Sequence, residues 1–144
     1  MSTAPRPRII TIAFWLTMVG AVLLLAGGIL GITTSLTTPV SAFPASMGQG
    51  EAHRILLMHG GVGAVLALAG LGLSFLAGRT RNGDKRFRRA LAALAGVVVF
   101  LVFVIALFAP YNLELLTLIG VVPVAIGATL FTRPPAADWF EDAS

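Results

Sequence analysis

The sequence predicts an all-α integral membrane protein: four transmembrane helices in an antiparallel bundle, with both ends on the cytoplasmic side. Three observations lead there. Hydrophobic residues make up 57% of the 144-residue chain and charged residues only 11%, where soluble domains carry about 25% charged residues. A water-facing surface could not accommodate that excess, whereas lipid can act as its solvent. Four apolar runs are long enough to cross a bilayer, and nine of the ten basic residues fall on one side of them.

The first run covers residues 9–32, free of charge. As helix it spans roughly 36 Å, enough for the hydrocarbon with some tilt. Arg6 and Arg8 precede it as in a signal peptide, but a signal core is only about 7–15 residues long, so an uncleaved anchor is expected. The second run, 55–77, is interrupted only by His59. The third, 90–108, closes at Ala109-Pro110, where proline stops a helix. The fourth, 113–131, recruits Asn112–Glu114 at its outer end, places Tyr111 at the interface and carries Pro123, which predicts a kink. Period-two alternation, the mark of a membrane β-barrel, is absent from the sequence. The whole chain, 1–144, reads as one domain.

Orientation follows from charge. The loop 78–89 between the second and third spans carries Arg79, Arg81, Lys85, Arg86, Arg88 and Arg89 against Asp84 alone. Arg6, Arg8 and Arg133 share its side, and only Arg54 lies opposite. The positive-inside rule puts the nine in the cytoplasm. It also accounts for the pI of about 11.2 without nucleic acid. The expected partners are anionic lipid head groups at the basic loop, and other membrane proteins or a second copy. Arg-rich, Ala/Gly/Leu-rich composition points to a bacterial plasma membrane. The outer connections are unequal: 111–114 is a tight hairpin, while 33–54 is a long Thr/Ser/Pro/Gly-rich loop with a short interfacial helix expected near 45–54. The tail, 132–142, starts with prolines and is acidic. Docking of Trp139-Phe140 on the basic loop, an interfacial position and a frayed end all remain open for it.

Between helices in lipid, small residues that let backbones approach are the packing signal. Gly27 and Gly31 in span one, Gly60/Ala64, Gly63/Ala67 and Gly70/Ser74 in span two, and Ala92/Gly96 in span three are each spaced by four. That spacing places each pair on one helix face.

Chemistry is sparse. Without cysteine, disulfides, thiolate metal sites and cysteine nucleophiles are excluded. No Asp, Glu, Lys or Arg lies deep within a span, unlike proton-coupled transporters; small four-helix multidrug exporters place a carboxylate in the first helix, and none is there. No phosphate-cradling loop or nucleophile elbow is present. His59 reads as a buried imidazole donating to a neighbouring helix carbonyl, with Gly60, Gly61 and Gly63 permitting the approach. His53 and His59, about 240° apart on a helix, cannot grip one haem or metal. Either could supply one axial haem ligand, the second coming from a methionine (Met18, Met47 or Met58), another copy or a partner.

Glu51, His53 and Arg54, followed by the basic loop, resemble the outer end of the second helix in the haem A synthase family. That resemblance implies a four-helix half-molecule and haem binding. The acid-to-histidine spacing is shorter here, and the fourth span lacks the histidine that family places there. The expectation carried forward is a small non-enzymatic accessory, assembly or stabilising subunit, with a haem-binding or redox-associated protein using His59 or His53 as the alternative.

Overall fold

The computed structural model describes residues 5–109 and 113–143. Five α-helices follow one another: α1 (Arg8–Thr37), α2 (Gln49–Thr80), α3 (Lys85–Phe108), α4 (Leu115–Thr132) and α5 (Pro134–Ala143). A single 3-10 turn, Val40–Ala42, lies between α1 and α2. The first four helices are long and apolar enough to cross a membrane.

Two helices outrun the apolar segments that announced them. α1 continues through Thr33, Ser35 and Thr37, whose hydroxyls donate to the carbonyls of Ile29, Ile32 and Thr33. Such back-bonding lets a polar turn stay helical. Pro39 follows, and the chain is extended there. α2 already begins at Gln49, so residues 49–54 are its first turns and not a separate interfacial helix. The 22-residue outer loop read from 33–54 thus shrinks to the stretch between Thr37 and Gln49. The basic loop contracts likewise. Gly83 adopts φ 94°, a left-handed value open to glycine, and Asp84 caps α3 by accepting from the Arg86 N–H at 2.9 Å. The charges therefore sit on helix ends rather than on a free loop. α3 stops at Phe108, and Ala109 donates to the Ile105 carbonyl at 2.7 Å. Pro110, Tyr111 and Asn112, with the expected interfacial tyrosine and half of the tight hairpin, lie outside the described residues. α4 runs helically through Pro123.

α1 is the hub. Its glycines lie directly on α2 and α4. A methyl group on Gly28 would strike the Gly63 carbonyl and lie 2.6 Å from the Ala67 nitrogen; one on Gly20 would lie 2.6 Å from the Gly120 carbonyl oxygen. Along α1, Ser35, Gly28 and Ala21 meet Gly60, Gly63 and Gly70 of α2, and Gly27, Gly20 and Ala13 meet Thr117, Gly120 and Gly127 of α4. Around these contacts Leu24, Leu66, Leu73 and Val124 are fully buried. α3 stands to one side and buries a single stripe, Leu91, Ala95, Val98 and Val102. Its opposite face exposes Val97, Phe100, Phe103, Leu107 and Phe108.

The tail is ordered by packing. Phe140 of α5 is completely buried, with its ring centroid 6.3 Å from that of Phe131 at the end of α4. The Arg88 guanidinium lies over the Phe140 ring at 5.2 Å and donates to the Phe131 carbonyl at 3.4 Å. Of the three expectations for Trp139-Phe140, docking on the basic end is the one observed.

Candidate functional site: a recessed imidazole–carboxylate pair

Helix length sets up this site. α4 has 18 residues, whereas α1 and α2 have 30 and 32. At the Glu114 end, α2 continues from His59 back to Gln49, about 15 Å, and α1 continues from Gly31 to Thr37, about 9 Å. Glu114, immediately before α4, therefore lies below a rim made by the other two helices. Its backbone is extended, with ψ 148°. Its carbonyl accepts from the N–H groups of Thr117 (3.0 Å) and Leu118 (3.3 Å). The carboxylate caps nothing in its own helix and meets His59 instead: Nε2 lies 3.0 Å from Oε1.

An ionised carboxylate only accepts, so in that pairing Nε2 is the ring nitrogen that carries the proton. The side chains are 12% and 27% exposed. The partner expected for His59 was a backbone carbonyl; a side chain 55 positions away, at the entrance to α4, takes that role. The neighbouring glycines do other work. Gly63 abuts Gly28, Gly60 abuts the Ser35 hydroxyl, and Gly61 faces open space. Gly31 lies beside the pair: a methyl there would sit 3.8 Å from Nε2, an ordinary contact. One turn along α4, the buried Thr117 hydroxyl has no partner among the described residues and is backed by Gly27. Gly27 thus faces α4 and Gly31 faces α2, although four residues apart on one helix.

The geometry bears on the other candidates. His53 is exposed on the first turns of α2, near Gln49, as are Glu51 and Arg54. His53 and His59 are not brought together. Met58 lines a groove with Leu101 and Ile105 of α3. Among the described residues no group of three or more metal-ligating side chains occurs. A haem iron on His59 through Nε2 would have to displace Glu114.

At the opposite end, arginines stack on aromatic rings, an arrangement favoured by the ring quadrupole. Arg81 lies 4.7 Å from the Phe14 centroid, and Arg79 lies 5.5 Å from Phe75 and 5.8 Å from Phe87. Arg6 lies 6.0 Å from Trp139. Lys85 reaches Glu141 at 4.0 Å. Arg86 and Arg89 are exposed.

Sequence reasoning missed Glu114 because it was read as an edge residue. The available signal was its coincidence with His59: an acidic residue adjoining one span and the ionisable residue within another, both towards the outer ends. No protein-family model, curated protein or solved structure matches the chain.

Proposed function

We propose that the chain is a four-span protein of the bacterial plasma membrane, an antiparallel bundle with both termini and the basic end in the cytoplasm. In this reading it serves as a non-enzymatic accessory, assembly or stabilising subunit that works through its outer helix surfaces. The observation that carries the proposal is the closure of the interior about α1. Gly20, Gly28, Gly63, Gly120 and Gly127 bring three backbones together so closely that an added methyl group would overlap the neighbouring chain. Grooves open between α3 and α4 and between α2 and α3, at the edge of the bundle. A closed centre leaves the periphery as the working surface. There, large apolar side chains such as Leu68, Phe75, Phe100 and Phe103 project outwards, as suits lipid and partner helices.

The descending register of α1 against the ascending registers of α2 and α4 supports the antiparallel arrangement. The concentration of Arg79, Arg81, Lys85, Arg86, Arg88, Arg89 and Arg133 at one end supports the orientation. The His59–Glu114 pair then acts as a latch between α2 and the entrance to α4.

The test is purification from the native membrane in mild detergent, with deletion of the gene in parallel. The expected result is a membrane-protein partner at a fixed ratio, whose abundance falls in the deletion strain. A purified chain carrying one haem, seen as a stoichiometric Soret band, would overturn the proposal.

A further inference from the structure

Between α3 and α4 lies an open groove of about 540 Å³. Ala92, Gly96, Phe100 and Phe103 line one wall, and Ala125 and Thr129 line the other. Small side chains on both helices leave the space, and a methyl group on Gly96 would meet nothing within 4 Å. The groove is chemically apolar despite its threonines. The Thr129 and Thr132 hydroxyl protons are donated to the carbonyls of Ala125 and Thr129. From Phe103 to Ala92 it follows α3 for about 17 Å, close to one leaflet's share of a hydrocarbon core of about 30 Å.

Charge appears only at one end. Ala125 and Thr129 also border an adjoining depression that Arg133 lines as well. On α3, Arg89 stands three and seven residues before Ala92 and Gly96, in register with that wall. Arg79, Arg81 and Arg88 are held by aromatic rings. Arg89 and Arg133 are exposed, and among the described residues neither has an ion-pair partner.

An apolar slot about one leaflet deep, with Arg89 in helical register with one wall and Arg133 lining the adjoining depression, is complementary to an anionic amphiphile. We infer that the α3/α4 groove is a binding site for an anionic phospholipid of the cytoplasmic leaflet. One acyl chain lies along Gly96, and the phosphate is held by Arg89 and Arg133. A second copy of the chain fits less well, because a two-fold contact brings the same patch against itself and would set these arginines against each other. The inference rests on the membrane reading above.

The test is native mass spectrometry of the full chain, released from detergent and titrated with phosphatidylglycerol or phosphatidylcholine. Resistance of the chain to carbonate extraction from membranes checks the underlying reading separately. A chain that carbonate extracts refutes the membrane reading; an integral chain without lipid preference refutes only this inference. The wild-type protein should retain one phosphatidylglycerol in preference to phosphatidylcholine. Arg89→Gln with Arg133→Gln should weaken phosphatidylglycerol binding by roughly thirtyfold, about fivefold for each arginine, and leave phosphatidylcholine unchanged. Gly96→Leu should abolish retention by filling the slot. Gly78→Leu, which also points into open space, should not. Equal retention of both lipids, or undiminished binding by Gly96→Leu, would overturn the inference. So would a change of oligomeric state in Gly96→Leu, which would make the groove a contact between chains.

Discussion

The imidazole of His59 and the carboxylate of Glu114 meet at 3.0 Å, although 55 residues separate them in sequence. They meet because α4 is short. Its first turn lies level with the second half-dozen residues of α2, where His59 offers a ring nitrogen to the carboxylate. The pair is thus a product of mismatched helix lengths, and it joins α2 to α4 directly, whereas most of the close packing runs through α1.

Replacing His59 by Leu should cost on the order of 1 kcal/mol, as loss of an interhelical hydrogen bond does in membrane proteins. His59→Gln should be tolerated, because an amide keeps a donor. A double-mutant cycle with Glu114→Leu, read by unfolding in mixed detergent, should give a coupling of about 0.6–1.7 kcal/mol. Strict additivity of the two leucine variants would show that the contact contributes nothing.

Glycine substitutions should divide sharply. Gly28→Ala and Gly20→Ala drive a methyl group into a facing backbone and should lower accumulation strongly. Gly61→Ala and Gly96→Ala meet open space and should gain as much as about 1 kcal/mol from helix propensity. Of the two glycines first singled out in span one, Gly27→Ile should part α1 from α4 and Gly31→Ile should part α1 from α2. Thermal stability in detergent reads all six. Indistinguishable melting of the first two from wild type would contradict the packing.

Threading can be read with single cysteines in a chain that naturally has none. Thr37, Gln49 and Asn82 are all exposed. Cysteines at the first two should react with an impermeant reagent added to whole spheroplasts, and one at Asn82 should react only after lysis. Labelling at Asn82 from outside would invert the proposed orientation.

Removal of the Phe140 ring should release the tail. Phe140→Ala deletes a fully buried aromatic group, for which about 3 kcal/mol is usual, and leaves Arg88 without its ring. In a Trp15→Phe background, leaving Trp139 as the single tryptophan, its fluorescence should shift to longer wavelength and become quenchable by iodide. An unshifted spectrum would mean that Phe140 does not hold α5.

The four long apolar helices were legible because runs such as 9–32 and 90–108 have no charged residue to interrupt them, a property that needs no tertiary context. Their ends were not. Thr33, Ser35 and Thr37 read as loop residues, yet their hydroxyls are satisfied within the helix, and hydropathy cannot register that. Ala92 and Gly96 were read as a packing pair on spacing alone; Gly96 borders a groove, and which faces of a helix find a neighbour is decided by the other helices. Glu114 was dismissed for the same reason. Depth is relative, and an edge residue of a short helix becomes a recessed residue once longer helices stand beside it.

The hub position of α1 bears on the order of synthesis. α1 leaves the ribosome before α4, which must later join it, and 95 residues separate the end of α1 from the end of α4. At about 5–20 residues per second, the side of α1 that carries Thr17, Gly20 and Gly27 waits about 5–20 s for its mate. The α1–α2 hairpin can close during that interval, since Gly28 and Gly63 are already present. A nascent chain halted before α4 would therefore hold a closed α1–α2 hairpin while the sides of α1 and α3 that meet α4 stay uncovered, a mark by which membrane quality control could tell it from the assembled bundle.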